Sequence, residues 1–261
     1  MIPNLSVIIP TYNRKASLLR ALEHLGCQTY PARQFEVIVV DDGSADGTDH
    51  LDWNRFPMRV RYFRRPQGGA TKARNFGAEC SQSEVLIFMD DDIVATPSMV
   101  ARLARDVLDL ERSVVLATLV PAVDSRLTPF ASQYGQAVSL AQVVKAEQPV
   151  ESLPIESAPC RQIIHFTECM TGVLAIRRAD FMVLGMFQDP TGGWPNWDDV
   201  DFGYRSHLQG FRLWRDTCAL AYHCDVALQS LETTSRRLER ASHSAARLFR
   251  HYPELASQIP M

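Results

Sequence analysis

Val85-Leu86-Ile87-Phe88-Met89 runs directly into Asp90-Asp91-Asp92. An apolar run this short, with no polar alternation, reads as a strand buried on both faces, the kind that parallel sheets use. In an open α/β sheet the C-terminal strand ends line the ligand crevice, so carboxylates placed there converge on one site. Three successive like charges repel one another, and a bound cation relieves that repulsion. Hard oxygen donors in this number suit Mg²⁺ or Mn²⁺, which keep open positions for phosphate oxygens.

The same arrangement recurs upstream. Residues 35–40 form a continuous β-branched run stopped by Asp41-Asp42-Gly43-Ser44, and residues 5–9 form another that ends at Pro10. Further strands are expected at 59–63 and 114–119. Helices are expected over 18–25 and after Pro97, the latter with Met99, Val100, Leu103, Val107 and Leu108 on one side. Short apolar strands alternating with helical segments indicate βαβ units and a parallel-type sheet. Beyond residue 120 we expect a helix over 130–144, a proline-rich loop over 147–159 and strands at 163–166 and 172–176. Helices at 178–184 and 198–208 follow, the second after a Gly-, Pro- and Trp-rich stretch at 189–197. Leu231, Leu238, Ala241, Ala245, Leu248 and Tyr252 make one stripe of a C-terminal helix whose other face carries Arg236, Arg237, Arg240, Arg247 and Arg250. It reads first as a helix packed on the core, with peripheral membrane contact or a homodimer interface as the alternatives.

The bulk numbers narrow the function classes. The chain has 261 residues, 46% hydrophobic and 22% charged, enough for one large α/β domain. A formal net charge of −3 argues against a nucleic-acid binder. Six cysteines without a Cys-x-x-Cys pair read as reduced thiols in a reducing compartment. The Met-Ile-Pro-Asn start lacks the features of a signal peptide. No apolar run approaches the ~20 residues of a membrane span. The expectation is therefore a cytoplasmic protein with no transmembrane segment.

Trp194 and Trp197 stand just before a second acidic pair, Asp198-Asp199, which opens a helix. Flat apolar ring faces beside polar groups suit the C–H face of a sugar. Carboxylates also cap helix N-termini well, so capping and chemistry both remain open for this pair.

Taken in order, Ser-Val-Ile-Ile-Pro-Thr-Tyr-Asn-Arg (6–14), Val-Val-Asp-Asp-Gly-Ser (39–44), Gly-Ala-Thr-Lys-Ala-Arg-Asn (69–75), Phe-Met-Asp-Asp-Asp (88–92) and Trp-Asp-Asp-Val-Asp-Phe-Gly-Tyr-Arg (197–205) resemble the family-2 inverting glycosyltransferases. That resemblance implies a GT-A fold: a Rossmann-like, mixed but mostly parallel α/β sheet flanked by helices. It would occupy residues 1–225, about 1–120 binding nucleotide and 121–225 binding acceptor, followed by a C-terminal helical extension over 226–261. It implies transfer of a hexosyl or N-acetylhexosaminyl group from a nucleotide-diphosphate donor, most often a UDP-sugar, to a carbohydrate, lipid-linked or small-molecule hydroxyl. Pro10, Thr11, Tyr12 and Arg14 correspond to the first nucleotide-binding loop, with Tyr12 stacking on the base. Asp42 matches the carboxylate that accepts from the base, and Arg74 the contact to base or phosphate. Asp90 and Asp91 match the ribose side. Asp92 matches the direct ligand of Mn²⁺ or Mg²⁺, with Asp90 and His223 as further metal candidates. Asp199 matches the general base. The first acid of this pair is usually Glu in the family, so Asp198 is left with an acceptor hydrogen bond, beside Trp194 and Trp197.

A metal suits this chemistry because a diphosphate leaving group gathers negative charge as the sugar's C1–O bond breaks. Two other readings stay open on the sequence: a sugar nucleotidyltransferase, and a sugar-nucleotide-binding module without catalysis. A dehydrogenase is disfavoured, since no Gly-x-Gly-x-x-Gly follows the first strand. Gly68-Gly69-Ala70-Thr71-Lys72 is not a Walker A loop.

Overall fold

The computed structural model describes residues 4–123, 138–139, 160–189, 197–224 and 231–257. Its elements in chain order are β1 (Leu5–Thr11), α1 (Lys15–Leu25), β2 (Phe35–Asp41), β3 (Arg59–Arg64), α2 (Ala70–Cys80), β4 (Val85–Met89), β5 (Ile93–Ala95) and α3 (Met99–Asp109). Then come β6 (Ser113–Val123), β7 (Val138–Ser139), β8 (Arg161–Ile164), β9 (Val173–Arg177), α4 (Arg178–Val183), α5 (Asp198–Leu208), β10 (Arg212–His223) and α6 (Leu231–His251).

The apolar runs become strands covered on both sides. Alternate residues of β1, β2 and β4 enter opposite layers. Val7, Ile9, Val37, Val39, Ile87 and Met89 meet Leu18 and Leu22 of α1 and Leu103 of α3. Ile8, Ile38, Val40, Leu86 and Phe88 meet Ala73 of α2, Phe181 of α4 and Phe202 of α5. Helix α1 buries Leu18, Ala21, Leu22 and Leu25, the stripe that helical spacing dictates. Leu108 departs from expectation. It is exposed, because one residue beyond the buried Val107 the helix has already turned about 100°.

The strands form one sheet in the order β3-β2-β1-β4-β9-β6-β10-β5, with β7 on β6 and β8 on β10. β1 pairs in parallel with both β2 and β4, whereas β9 inserts antiparallel between β4 and β6. The sheet is thus mixed and mostly parallel, flanked by helices, as expected. The chain leaves β1 towards β2 on one side and returns to β4 on the other. The carboxyl ends of β1 and β4 therefore frame a topological switch point, where such sheets bind ligands.

Several local expectations change. Residues 70–80 form a helix beyond those expected from the sequence. It lies so close to the sheet that a Cβ on Gly77 would come 2.5 Å from Ile8 Cγ2. The strand expected over 163–166 is Arg161–Ile164, after which His165 and Glu168 cap a tight turn over Phe166–Glu168. Val138–Ser139 pair in parallel with Ala122 and Val123, so a continuous helix over 130–144 is excluded there. The rest of that stretch, the loop over 147–159 and residues 190–196 lie outside the described residues.

Six reduced thiols are also corrected. Cys160 and Cys218 form a disulfide, because the antiparallel pairing of Arg161 with Asp216 brings their Cα atoms to 5.6 Å. Cys27, Cys80, Cys169 and Cys224 are free. Among the described residues, no helix is long and apolar enough to cross a membrane.

The C-terminal helix packs through Leu248, which is fully buried, while Arg247 and Arg250 are exposed. Its end clasps α5: the Tyr252 hydroxyl donates to Asp201 (3.0 Å), and the Tyr204 hydroxyl to Glu254 (2.7 Å). The side chains of Leu231, Leu238, Ala241, Arg236, Arg237 and Arg240 lie outside the described set.

Candidate active site

The carboxyl ends of β1, β2 and β4 open onto a cleft of about 300 Å³. Pro10, Thr11, Tyr12, Arg14, Asp42, Ala70, Arg74, Asp90, Asp91 and Asp92 line it. Every residue assigned from the sequence to nucleotide binding is on that wall. Tyr12 is 43% exposed, its ring available at the cleft.

The loop after β1 is held rigidly by residues the sequence reading passed over. Asn13 adopts a positive φ of 52°, its N–H donates to Ser44 Oγ (2.9 Å), and its side-chain oxygen accepts from Ala45 N–H (2.7 Å). The Lys15 N–H donates to Asp46 Oδ2 (2.8 Å). These bonds join the loops after β1 and β2. An Asn followed by Gly-Ser-Ala-Asp on the next loop is their sequence signal, since Asn and Asp accept from backbone and Asn tolerates left-handed geometry.

The two acids after β2 have separate tasks. Asp41 is fully buried and structural, accepting from Ser44 N–H (2.7 Å) and the Tyr62 hydroxyl (2.6 Å). Asp42 accepts from Gly68 N–H (2.9 Å) and Gly69 N–H (2.7 Å), so it fixes the turn that starts α2 while lining the cleft.

The acidic triplet after β4 divides three ways. The Arg74 guanidinium meets Asp90 Oδ1 at 2.5 Å. Asp91 accepts from the Thr11 hydroxyl (2.7 Å) and Arg14 (3.3 Å). Burial nevertheless pushes its carboxyl up to about 7, with the Asp92 and Asp90 charges adding to the effect. Asp92 accepts from Arg14 Nη1 through Oδ2 at 2.6 Å. Burial raises it too, yet the facing His223 ring and Arg14 outweigh that and hold it below its ordinary value.

The other oxygen of Asp92 is the informative atom. Oδ1 is buried without a hydrogen bond of proper geometry, and His223 Nε2 faces it at 3.4 Å. β5 and β10 bring them together by pairing His223 with Ile93, the residue after Asp92. An orphaned carboxylate oxygen opposite an imidazole nitrogen is a donor set that fits Mn²⁺ or Mg²⁺ with positions left for phosphate. Asp90, also a metal candidate from the sequence, is turned to Arg74 instead.

Arg74 is the hinge between this rim and the second acidic pair. It is buried on α2 and lies 3.5 Å from Asp198 Oδ2 through Nη1. The Thr71 hydroxyl donates to that same oxygen (2.8 Å), a contact the sequence reading missed. Asp198 is thereby committed to α2. Asp199, beside it, has its carboxyl raised to about 7 by burial and by the Asp198 charge, against the opposing pull of the Val200 N–H and Arg74. Helix α5 can sit this low because residue 203 is glycine: a Cβ there would meet Cys169 Cβ at 2.6 Å. Trp197 packs edge-to-face on Phe249 of α6 at 6.1 Å, so part of its ring supports the fold. Trp194 lies outside the described residues.

A mixed α/β sheet with a carboxylate-rimmed cleft at its switch point has its candidate ligand site where open α/β sheets bind ligands. The family model for glycosyl transferase family 2 matches residues 6–155, and the chain belongs to that family. A validoxylamine A glucosyltransferase of Streptomyces hygroscopicus subsp. jinggangensis is 31% identical over 231 residues, covering 80% of this chain and 52% of that protein. The poly(ribitol-phosphate) beta-N-acetylglucosaminyltransferase TarS of Staphylococcus aureus is 32% identical over 128 residues, covering 48% of this chain and 22% of TarS. The chain spans about half the length of the validoxylamine A glucosyltransferases it matches. Among solved structures, S. aureus TarS 1-349 in complex with UDP-GlcNAc superposes with a TM-score of 0.62 at 20% identity, covering 94% of this chain and 66% of that one. GalNAc-T7 with UDP, GalNAc and Mn²⁺ gives 0.59 at 19% identity, covering 86% and 43%. At these identities the two structures speak for the fold alone, which is the GT-A type.

Proposed function

We propose that this chain is an inverting, metal-dependent glycosyltransferase that moves a hexosyl or N-acetylhexosaminyl group from a UDP-sugar to an acceptor hydroxyl. The observation that carries the reading is Arg74, which touches Asp90 on the nucleotide cleft and Asp198 beside the candidate base. One guanidinium thus ties the donor side to the acceptor side. Relatives named as a glucosyltransferase and a beta-N-acetylglucosaminyltransferase support the sugar class, and UDP or UDP-GlcNAc in the structural neighbours supports the nucleotide.

In this reading Tyr12 stacks on the base and Asp42 accepts from it through lone pairs that the glycine N–H groups leave open. Asp90 and Asp91 face the ribose. Asp92 and His223 would hold Mn²⁺ or Mg²⁺, which when bound supplies charge stabilisation to the leaving diphosphate. Asp199 removes the acceptor hydroxyl's proton as its oxygen bonds to the anomeric carbon. The C1–O bond to the diphosphate breaks, and UDP departs with the bonding pair. A carboxyl raised towards neutrality suits that proton transfer.

Thermal shift with UDP, GDP and dTDP, each with and without Mn²⁺, tests the donor, and metal-dependent slow hydrolysis of a UDP-hexose tests turnover without a known acceptor. Asp199→Asn should keep UDP and Mn²⁺ binding while losing roughly 10²–10⁴-fold in sugar transfer. Transfer at the wild-type rate would remove the base assignment.

A further inference from the structure

We propose that Arg14 is an internal counter-ion, seated on Asp92 until nucleotide and metal arrive together, so that metal binding depends on the nucleotide. The inference rests on the reading of Asp92 as a metal ligand. Arg14 Nη1 lies 2.6 Å from Asp92 Oδ2 and 3.3 Å from Asp91 Oδ1. Its side chain is 40% exposed, whereas both carboxylates are only 6% exposed. The anions are therefore fixed in the wall and the cation is the movable partner.

The backbone around Arg14 supports that division. Asn13 N–H is held by Ser44 and Lys15 N–H by Asp46, so the residues on either side are anchored while the guanidinium stem reaches across the cleft. Arg74, the other arginine lining the cleft, cannot take over. It is buried and engaged with Asp90 and Asp198.

In the ligand-free protein the Arg14 guanidinium offsets negative charge on the two buried carboxylates it touches. A divalent ion at Asp92 repels the guanidinium from the same carboxylate. A diphosphate entering with that ion offers the guanidinium a matched acceptor, since its planar fork of donors pairs well with phosphate oxygens. The metal alone must displace Arg14 with no compensation, whereas metal with nucleotide gives the displaced charge a new partner.

Mn²⁺ binding, read from the electron paramagnetic resonance signal of the free aqua ion, tests this on the full chain for wild type, Arg14→Met and Arg14→Lys, with and without UDP. Wild type and Arg14→Lys should bind Mn²⁺ alone weakly and gain strongly from UDP. Arg14→Met should bind Mn²⁺ alone about tenfold more tightly, with a smaller gain from UDP, as expected when one nearby positive charge is removed. Mn²⁺ alone should also raise the melting temperature of Arg14→Met more than that of wild type. If Arg14→Met binds Mn²⁺ alone no tighter than wild type while UDP still promotes binding, the counter-ion role is overturned and the metal site stands. If wild type binds no Mn²⁺ even with UDP, both fall.

Discussion

Arg74 and Asp198 face each other at 3.5 Å, Nη1 to Oδ2, joining the helix that follows the cleft-lining loops to the helix that opens with the candidate base. The same guanidinium reaches Asp90 at 2.5 Å. Buried and flanked by carboxylates, Arg74 loses some preference for its charge through burial and regains more from Asp90 and Asp198. Replacement by Ala leaves both carboxylates facing a cavity, and replacement by Lys keeps the charge without the planar fork.

We therefore expect Arg74→Ala to reduce kcat/KM for sugar transfer by roughly 10²–10³-fold, the scale of losing one preorganised charge-stabilising donor. Arg74→Lys should recover only part of this. Steady-state kinetics on both variants checks it; a Lys variant at full activity would mean that a point charge suffices.

A pH profile reads Asp199 directly. In the proposed mechanism Asp199 acts as base only when ionised, and burial raises its carboxyl to about 7, so kcat/KM should rise through that value as pH increases. The Asp198 charge is the second cause of that elevation after burial. Asp198→Asn should move the acidic limb of the profile to lower pH, as well as weakening the link to α2. An unmoved limb would show that Asp198 does not set the ionisation of its neighbour.

The same elevation carries a stability consequence. A carboxyl whose folded value exceeds its unfolded one favours the fold while protonated, and that contribution is lost as pH rises through the folded value. Asp91 and Asp199 both stand at about 7. The ligand-free protein should therefore lose stability as pH rises from about 4, the ordinary carboxyl value, to about 7, and Asp91→Asn should flatten the slope. Denaturant midpoints measured across that range decide the matter.

Asp42 accepts from two glycine N–H groups at the start of α2. Asp42→Ala should cost about 1–3 kcal/mol of folding stability by leaving those donors without their acceptor. It should also weaken nucleotide binding. Urea unfolding with and without UDP separates the two effects.

Phe88 lies among Phe181 at 4.8 Å and Phe187 at 4.8 Å, ring centroid to centroid, beneath the acidic triplet. Phe88→Ala should destabilise the chain by about 3–5 kcal/mol, the range for emptying a buried aromatic position. Chemical denaturation measures it, and a loss below 1 kcal/mol would mean that the cluster collapses around the gap.

Residues 85–92 were legible because one short segment carries both signals: an apolar run too uniform for an exposed strand, and carboxylates too crowded for comfort without a cation. The helix over residues 70–80 was hidden because its buried face is made of Ala73, Arg74, Gly77 and Ala78, which carry almost no hydrophobic contrast. Small residues are there for close approach to the sheet, a need visible only once Ile8 is beneath them. The disulfide was equally hidden, since Cys160 and Cys218 are 58 residues apart and meet only through strand pairing.

The order of buried strands, the acids at their ends and the cleft they face follow from local pattern, because periodicity and charge crowding act over a few residues. Which acid serves which purpose is a long-range matter. Asp41 and Asp42 are neighbours, yet one holds a tyrosine and the other a glycine turn. Asp90, Asp91 and Asp92 are consecutive, yet Arg74, Thr11 and His223 claim one each, from three separate elements. A carboxylate's partner and proton affinity depend on what burial brings within a few ångströms, and only the folded chain decides that.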